Sequence, residues 1–189
     1  MRADAARKRE QVVAAAGDEL ADLGVAARQG APVHLSLDRV AARAKVGIAT
    51  LYRHFPTREA LLDAVYRHEL TRLCDAAPGL AAGAPADEAL LTWMNRYLDF
   101  VDSKRAMGAD LRTMIASGAV TQAETRARLA AAVAHFLAAG TAAGTFRPGV
   151  PPDDVVAAMA GAVIAAAPEQ QREQTQRLLA LLVEGLRPR

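Results

Sequence analysis

The sequence contains little cysteine, few aromatic residues and no long apolar run. Cys74 is the only cysteine among 189 residues, so an intramolecular disulfide and a thiolate zinc cluster are both excluded. Aromatic residues make up only 4% of the chain. The longest apolar run, residues 155–167, is shorter than the roughly 20 residues that a membrane span needs. The N-terminus has no apolar signal core, so we expect a cytoplasmic protein with no membrane partner.

Alanine dominates what is present, with 45 of the 189 residues. It is the best helix former and a poor strand former. Apolar residues make up 52% of the chain and charged residues 23%, which is typical of a folded protein with a hydrophobic core. No segment alternates between apolar and polar residues with a period of two. The composition therefore predicts an all-α fold.

Apolar residues recur at helical spacing along most of the chain. The first helix is predicted from about Ala5 to Leu23, with Gly24 as its stop signal. Two short helices follow, the first capped by Ser36 and the second ending before Pro56. A longer helix starts after Thr57 and fades near Pro78. Further helices are predicted at about 87–101, 106–117, 121–143, 152–166 and 169–186.

Positive charge is concentrated near the two short helices. Between Asp38 and Glu59 the chain has no acidic residue, but it has Arg39, Arg43, Lys45, Arg53 and Arg58. Such a segment is the electrostatic signature of a phosphate-binding surface. On charge alone, a solvated basic face is the favoured explanation.

Two short helices joined by a tight turn, followed by a proline, describe a helix-turn-helix. In this motif the second helix lies in the major groove of DNA. Leu51 and Phe55 are predicted to face inward. The outer face would meet DNA, and it carries Gly47, Ile48, Ala49, Thr50, Tyr52, Arg53 and His54.

The segment from Leu35 to Tyr66 resembles the DNA-binding domain of the TetR (tetracycline-repressor-like) family of transcriptional regulators. The matching motif is TLYRHF at 50–55, followed by REALL at 58–62. With the first helix, the resemblance covers about residues 7–67. It implies an N-terminal three-helix DNA-binding domain at 1–67, including the start of a linking fourth helix. Residues 68–189 would form a helical regulatory and dimerisation domain.

The resemblance also implies roles for individual residues in DNA binding. Tyr52, His54 and Arg58 match positions that contact phosphates, and Thr50 matches one that contacts phosphate or a base. Ser36 would cap its helix and offer a further phosphate contact. Gly47, Ile48 and Ala49 match the variable positions beside base edges.

Two residues depart from the family pattern. Lys45 stands where the family usually has glycine, and a left-handed conformation costs a non-glycine residue roughly 1–2 kcal/mol. A phosphate contact by Lys45 would compensate. Gly47 stands where serine or threonine often caps the second helix, and glycine is a weaker cap.

The C-terminal half offers candidates for a ligand pocket. Trp93, Tyr97 and Phe100 form one stripe on a predicted helix. Core packing and pocket lining explain this stripe equally well, since pockets are mostly apolar. By resemblance, a small-molecule effector would bind here, and the candidate residues are His68, Trp93, Tyr97, Phe100, Met114 and Phe136.

The last two predicted helices are apolar on more than one side, which indicates more than one packing partner. The resemblance implies a homodimer built on these helices, with Val156, Met159, Val163, Leu178, Leu182 and Leu186 as candidate interface residues. An internal core is the alternative, and the two roles are compatible. Two-fold symmetry would make the DNA site a palindrome.

The sequence therefore predicts a ligand-responsive regulator of transcription, with repression expected, that binds double-stranded DNA as a dimer. The alternative is a helical small-molecule-binding or interaction protein without specific DNA binding. No common catalytic motif is present, and the four histidines lack metal-ligand spacing. We expect no enzyme activity, no cofactor and no metal site.

Overall fold

The computed structural model describes residues 2–28, 33–167 and 171–188. Within these ranges all regular structure is helical, which confirms the predicted fold class. The helices are α1 (Arg2–Arg28), α2 (Leu37–Arg43), α3 (Ile48–His54), α4 (Arg58–Gly83), α5 (Ala86–Ala116), α6 (Gln122–Ala142), α7 (Pro152–Ala165) and α8 (Gln171–Glu184). None of these helices is both long and apolar enough to cross a membrane.

The chain packs into two compact units. The first contains Met1–Leu70 and Asp99–Val120, and the second contains Thr71–Leu98 and Thr121–Arg189. Helices α4 and α5 each contribute residues to both units. The predicted boundary after residue 67 divides the chain by function and stays a prediction.

The first unit has its core among α1, α2 and α3, which pack against one another. Their buried side chains include Val12, Ala16, Leu20, Val40, Leu51 and Phe55. Ser36 caps α2 as predicted, because its hydroxyl accepts a hydrogen bond from the Arg39 amide at 3.3 Å. Gly47 is the N-cap of α3 and makes no side-chain cap bond, also as predicted. These caps fix where the two short helices begin.

Gly24 does not end α1, so the predicted stop is wrong. The helix continues to Arg28. A Cβ atom at Gly24 would lie 2.8 Å from the backbone oxygen of Asp102. Glycine is therefore needed here for close packing of α1 against the 99–120 segment, and not for a helix end.

Pro78 lies inside α4, so the predicted end of that helix is also wrong. Proline lacks the N–H that would continue the helical hydrogen bonds. The fully buried Trp93 donates its indole N–H to the Leu73 carbonyl at 2.8 Å, one turn before the proline. This bond ties the helix to the core of the second unit, and α4 runs on to Gly83.

A break in α5 occurs at Gly108, which has φ 53° and ψ −119°. Only glycine adopts this combination at low cost. The sequence predicted two helices with a gap between residues 101 and 106, whereas the structure has one continuous helix up to the break. In the second unit, α6 packs against α7 and α7 against α8.

The turn between α2 and α3 is centred on Lys45, which has φ 55°. The Lys45 amide donates to the Ala42 carbonyl at 3.1 Å, and the Val46 amide donates to the Ala41 carbonyl at 3.0 Å. This pair of bonds is a Schellman motif, which requires a left-handed residue at the Lys45 position. Lys45 thus adopts the left-handed conformation that this turn requires, although it is not glycine.

We expect Lys45→Gly to stabilise the protein by about 1 kcal/mol, because it removes the left-handed penalty while raising the entropy of the unfolded chain. Urea denaturation followed by circular dichroism measures this change. Lys45→Ala is the matched control, since it removes the charge and keeps the strain. Equal stability of Lys45→Gly and Lys45→Ala would contradict the explanation.

Candidate nucleic-acid interface

Helix α3 presents one face to the core and the other to solvent. Leu51 is buried on the inner face, and Phe55 is buried just beyond the C-terminal end of the helix. Ile48 is 37% exposed and Tyr52 48% exposed. Gly47, Ala49 and Arg53 are also exposed, while Thr50 and His54 are half-buried. The structure thus brings five of the predicted groove-facing residues together on one exposed surface, with Thr50 and His54 less accessible.

Two of these residues contact each other. The Arg53 guanidinium donates to the Thr50 hydroxyl at 2.9 Å, one helical turn away. This bond orders the arginine along the outer face of α3. A guanidinium has five N–H donors, so the remaining donors suit a phosphate or a guanine edge.

Helix α1 supports the end of α3 through a contact that the sequence did not reveal. The Arg9 guanidinium carbon lies 5.0 Å from the centroid of the Phe55 ring, which is a cation–π distance. The two residues are far apart in sequence, and no periodicity relates them. The contact places a cation of α1 beside the C-terminal end of α3.

The basic segment is partly neutralised by acids of α1. Glu19 is only 2% exposed, and Arg39 lies 2.9 Å from its Oε1 in an ion pair without hydrogen-bond geometry. Arg43 donates to Asp22 at 2.8 Å, and its Nη1 lies 3.4 Å from Glu19 Oε2. The hydrogen bond that Arg43 donates to Asp22 raises the pKa of Arg43 above its ordinary value. Arg39 and Arg43 therefore join α2 to α1.

Arg58 lies at the start of α4 and is half-buried. Its Nε donates to Asp110 at 2.9 Å, and its Nη1 donates to the Leu35 carbonyl at 2.6 Å. Leu35 directly precedes the cap of α2. The guanidinium thus connects α4, the start of α2 and the chain just beyond the Gly108 break. The sequence singled out Arg58 but gave no sign of Asp110, which lies 52 positions away.

Candidate pocket residues in the first unit are Phe100, Met114 and His68. Phe100 and Met114 are buried, and His68 is half-buried. The Phe100 ring lies 5.5 Å from that of Tyr66, and the Lys104 ammonium lies 5.4 Å from the centroid of the Phe100 ring. Burial lowers the pKa of Lys104.

Candidate pocket residues in the second unit are Trp93, Tyr97 and Phe136, all of them buried. The Trp93 and Phe136 ring centroids are 5.7 Å apart. Close ring packing of this kind is worth about 0.5–1.5 kcal/mol beyond the area buried. Trp93 and Tyr97 of the predicted stripe thus contribute to the core of the second unit, whereas Phe100 belongs to the first.

Helices α7 and α8 divide the predicted interface residues into two groups. Val156, Met159 and Leu186 are buried in the second unit of a single chain, whereas Val163, Leu178 and Leu182 are half-exposed. Ile164 and Leu181, on the same two helices, are 84% and 67% exposed. A groove of about 700 Å³ lies between the 147–151 loop, α7 and α8, and Leu181 and Leu182 line it.

The fold and this surface define a helical protein with an N-terminal helix-turn-helix. Comparison with known families agrees. Residues 27–65 match the bacterial regulatory proteins of the tetR family, and residues 85–188 match the C-terminal domain of SbtR-like transcriptional regulators. No curated protein matches the chain.

Solved structures extend the match to almost the whole chain. A TetR transcriptional regulator from Streptomyces coelicolor is 39% identical, with a TM-score of 0.79, and the alignment covers 95% of this chain and 98% of that one. A TetR regulatory protein from Mycobacterium vanbaalenii is 31% identical, with a TM-score of 0.66 and 99% of both chains covered. The chain belongs to the TetR family of transcriptional regulators.

We expect Arg53→Ala to weaken binding to every DNA duplex and to make the dependence of log affinity on log salt shallower by about 0.9, because one phosphate contact is lost. Fluorescence anisotropy with a random-sequence duplex at several salt concentrations measures both quantities. Arg126→Ala, which removes an exposed arginine from the second unit, is the charge-matched control. An unchanged slope would show that Arg53 contacts no phosphate, and a loss confined to one sequence would assign it to a base.

Proposed function

We propose that this TetR-family regulator is a repressor that binds a palindromic operator as a homodimer and is released by a small-molecule effector. The observation that carries the proposal is the exposed face of α3, where Tyr52 and Arg53 lie on a helix that packs against α1 and α2. A helix of this kind fits the major groove. We further propose that the protein acts in the cytoplasm and is not an enzyme.

The proposed division of labour on DNA follows the chemistry of the side chains. Tyr52, His54 and Arg58 would bind phosphates, with Ser36 and Lys45 as further contacts. Such contacts fix the register of the protein on DNA. Gly47, Ile48 and Ala49 offer no side-chain hydrogen bond, so base reading would depend on thymine methyl contacts, on Thr50 and on DNA shape, while Arg53 would contact a phosphate.

The proposed dimer would use the exposed faces of α7 and α8. Leu178, Leu181 and Leu182 follow one another along α8, and Ile164 lies near the end of α7. Exposed apolar side chains on neighbouring helices are typical of an interface. Beneath these exposed faces, the buried side chains would hold the two helices together; they are Val156, Met159 and Leu186.

The effector part of the proposal rests on the candidate pocket residues. In the second unit, Trp93, Tyr97 and Phe136 are buried, so a ligand reaches them only if neighbouring side chains move. Binding that requires such movement shifts the protein between two states by its difference in affinity for them. A ligand that releases the protein from DNA requires this coupling between ligand binding and a change of protein state.

The test of the function is an anisotropy titration of the protein against labelled DNA from upstream of its own gene, with unrelated DNA as competitor. We expect binding that survives the competitor and footprints two symmetric half-sites about one helical turn apart. Binding erased by the competitor would favour the alternative, a helical binding protein without specific DNA recognition. The same assay then screens small molecules for release.

We expect Leu181→Glu to convert the dimer to a monomer, because it places a charge in the apolar centre of the proposed interface. Light scattering after size exclusion gives the mass, and circular dichroism checks that the chain is folded. Ala138→Glu introduces the same charge at an exposed site on α6 and serves as control. If Leu181→Glu keeps the dimer mass, the interface lies elsewhere.

A further inference from the structure

We infer that Asp110 sets the DNA affinity of this protein by competing with the phosphate backbone for Arg58. The inference rests on the proposed function, in which Arg58 is a phosphate contact. It adds a residue that lies in neither short helix of the DNA-binding motif. The ion pair that carries it joins two residues within the first unit.

The geometry places a carboxylate where a phosphate oxygen would bind. Arg58 Nε donates to Asp110 Oδ2 at 2.9 Å, and both side chains are only partly exposed, at 23% and 29%. Partial burial strengthens the attraction relative to a fully solvated pair. A phosphate that approaches this guanidinium must therefore displace a bound anion or share the guanidinium with it.

Both possibilities weaken DNA binding. If phosphate displaces Asp110, an ion pair of the free protein is lost and the carboxylate is left without that partner. If both anions remain, their like charges repel at short distance. The Leu35 bond uses a different nitrogen, Nη1, so it can hold the guanidinium in place while Asp110 is exchanged for phosphate.

The position of Asp110 in the chain makes it separable from the helix-turn-helix itself. It lies two residues beyond Gly108, where α5 is broken by the glycine conformation. Its carboxylate therefore belongs to a short helical arm, 109–116, whose direction is set at that glycine. Changing Asp110 removes the competing anion without altering α2, the turn or α3.

The opposite role is also defined by this geometry. A carboxylate that merely orients an arginine for phosphate would support DNA binding, and its loss would weaken the complex. The sign of the effect of Asp110→Asn on affinity therefore distinguishes competition from orientation.

The experiment measures the affinity of wild type, Asp110→Asn, Arg58→Ala and the double variant for a random-sequence duplex and for DNA from upstream of the gene. We expect Asp110→Asn to bind both DNAs about threefold to tenfold more tightly, as loss of one partly exposed competing ion pair allows. Its salt dependence should be steeper by about 0.9, because no freed carboxylate then takes up a cation as phosphate binds Arg58. In the Arg58→Ala background, Asp110→Asn should change nothing.

Glu59→Gln is the control for simple removal of negative charge, since Glu59 is exposed and adjacent to Arg58. Its effect on affinity should be the same with and without Arg58. A gain from Asp110→Asn that persists in Arg58→Ala would reduce the effect to general electrostatics and overturn the inference. Unchanged or weaker binding by folded Asp110→Asn would overturn it as well.

Thermal melting shows whether each variant is folded, and we expect Asp110→Asn to melt a few degrees lower because an ion pair is lost. Asp110→Ser is made in parallel. If both variants are unfolded, the pair is a structural requirement and the inference fails. If wild type shows no sequence preference, the proposed function fails, while the random-sequence duplex still decides whether Asp110 competes for Arg58.

Discussion

The left-handed turn at Lys45 is the constraint on which the DNA-binding surface depends. It reverses the chain between α2 and α3 in a single residue, and the two hydrogen bonds around it fix the angle between the helices. Tyr52 and Arg53 face outward only because this turn directs Leu51 and Phe55 inward. Lysine at this position costs a little stability because of its left-handed conformation, and it places a cation next to α3.

The ion pairs of α1 with Arg39 and Arg43 are a second constraint, because they hold α2 against α1. Removing Glu19 from water is unfavourable unless its charge is compensated, and the two arginines supply that compensation. Charge therefore acts in two ways in the same segment. Arg39 and Arg43 hold α2 in place, and Arg53 remains on the outer face. A count of basic residues does not separate these roles, but the acids at 18, 19 and 22 on one face of α1 point to them.

Local signals predicted the fold well where the cause is local. Ser36 and Gly47 as helix caps and the inward Leu51 follow from residue chemistry and helical period. The errors include Gly24, where close packing against Asp102 requires glycine inside the helix, and Pro78, which lies within α4 instead of ending it. For the candidate site, the helical period was enough to predict which face of α3 is exposed. The partners Asp110 and Arg9 could not, because nothing in the sequence relates residues so far apart.

The discontinuous packing of the first unit has a consequence for dissecting the protein. A fragment that stops at residue 67 keeps every helix of the DNA-binding motif but lacks 99–120. Such a fragment would lose the ion pair between Arg58 and Asp110 and the ring contact between Tyr66 and Phe100. It would also lose the backbone of residue 102 that packs closely against Gly24. The segment that contains the DNA-binding motif is thus shorter than the compact unit in which it packs. A fusion that transfers the DNA-binding motif to another protein would therefore need to include residues 99–120 as well.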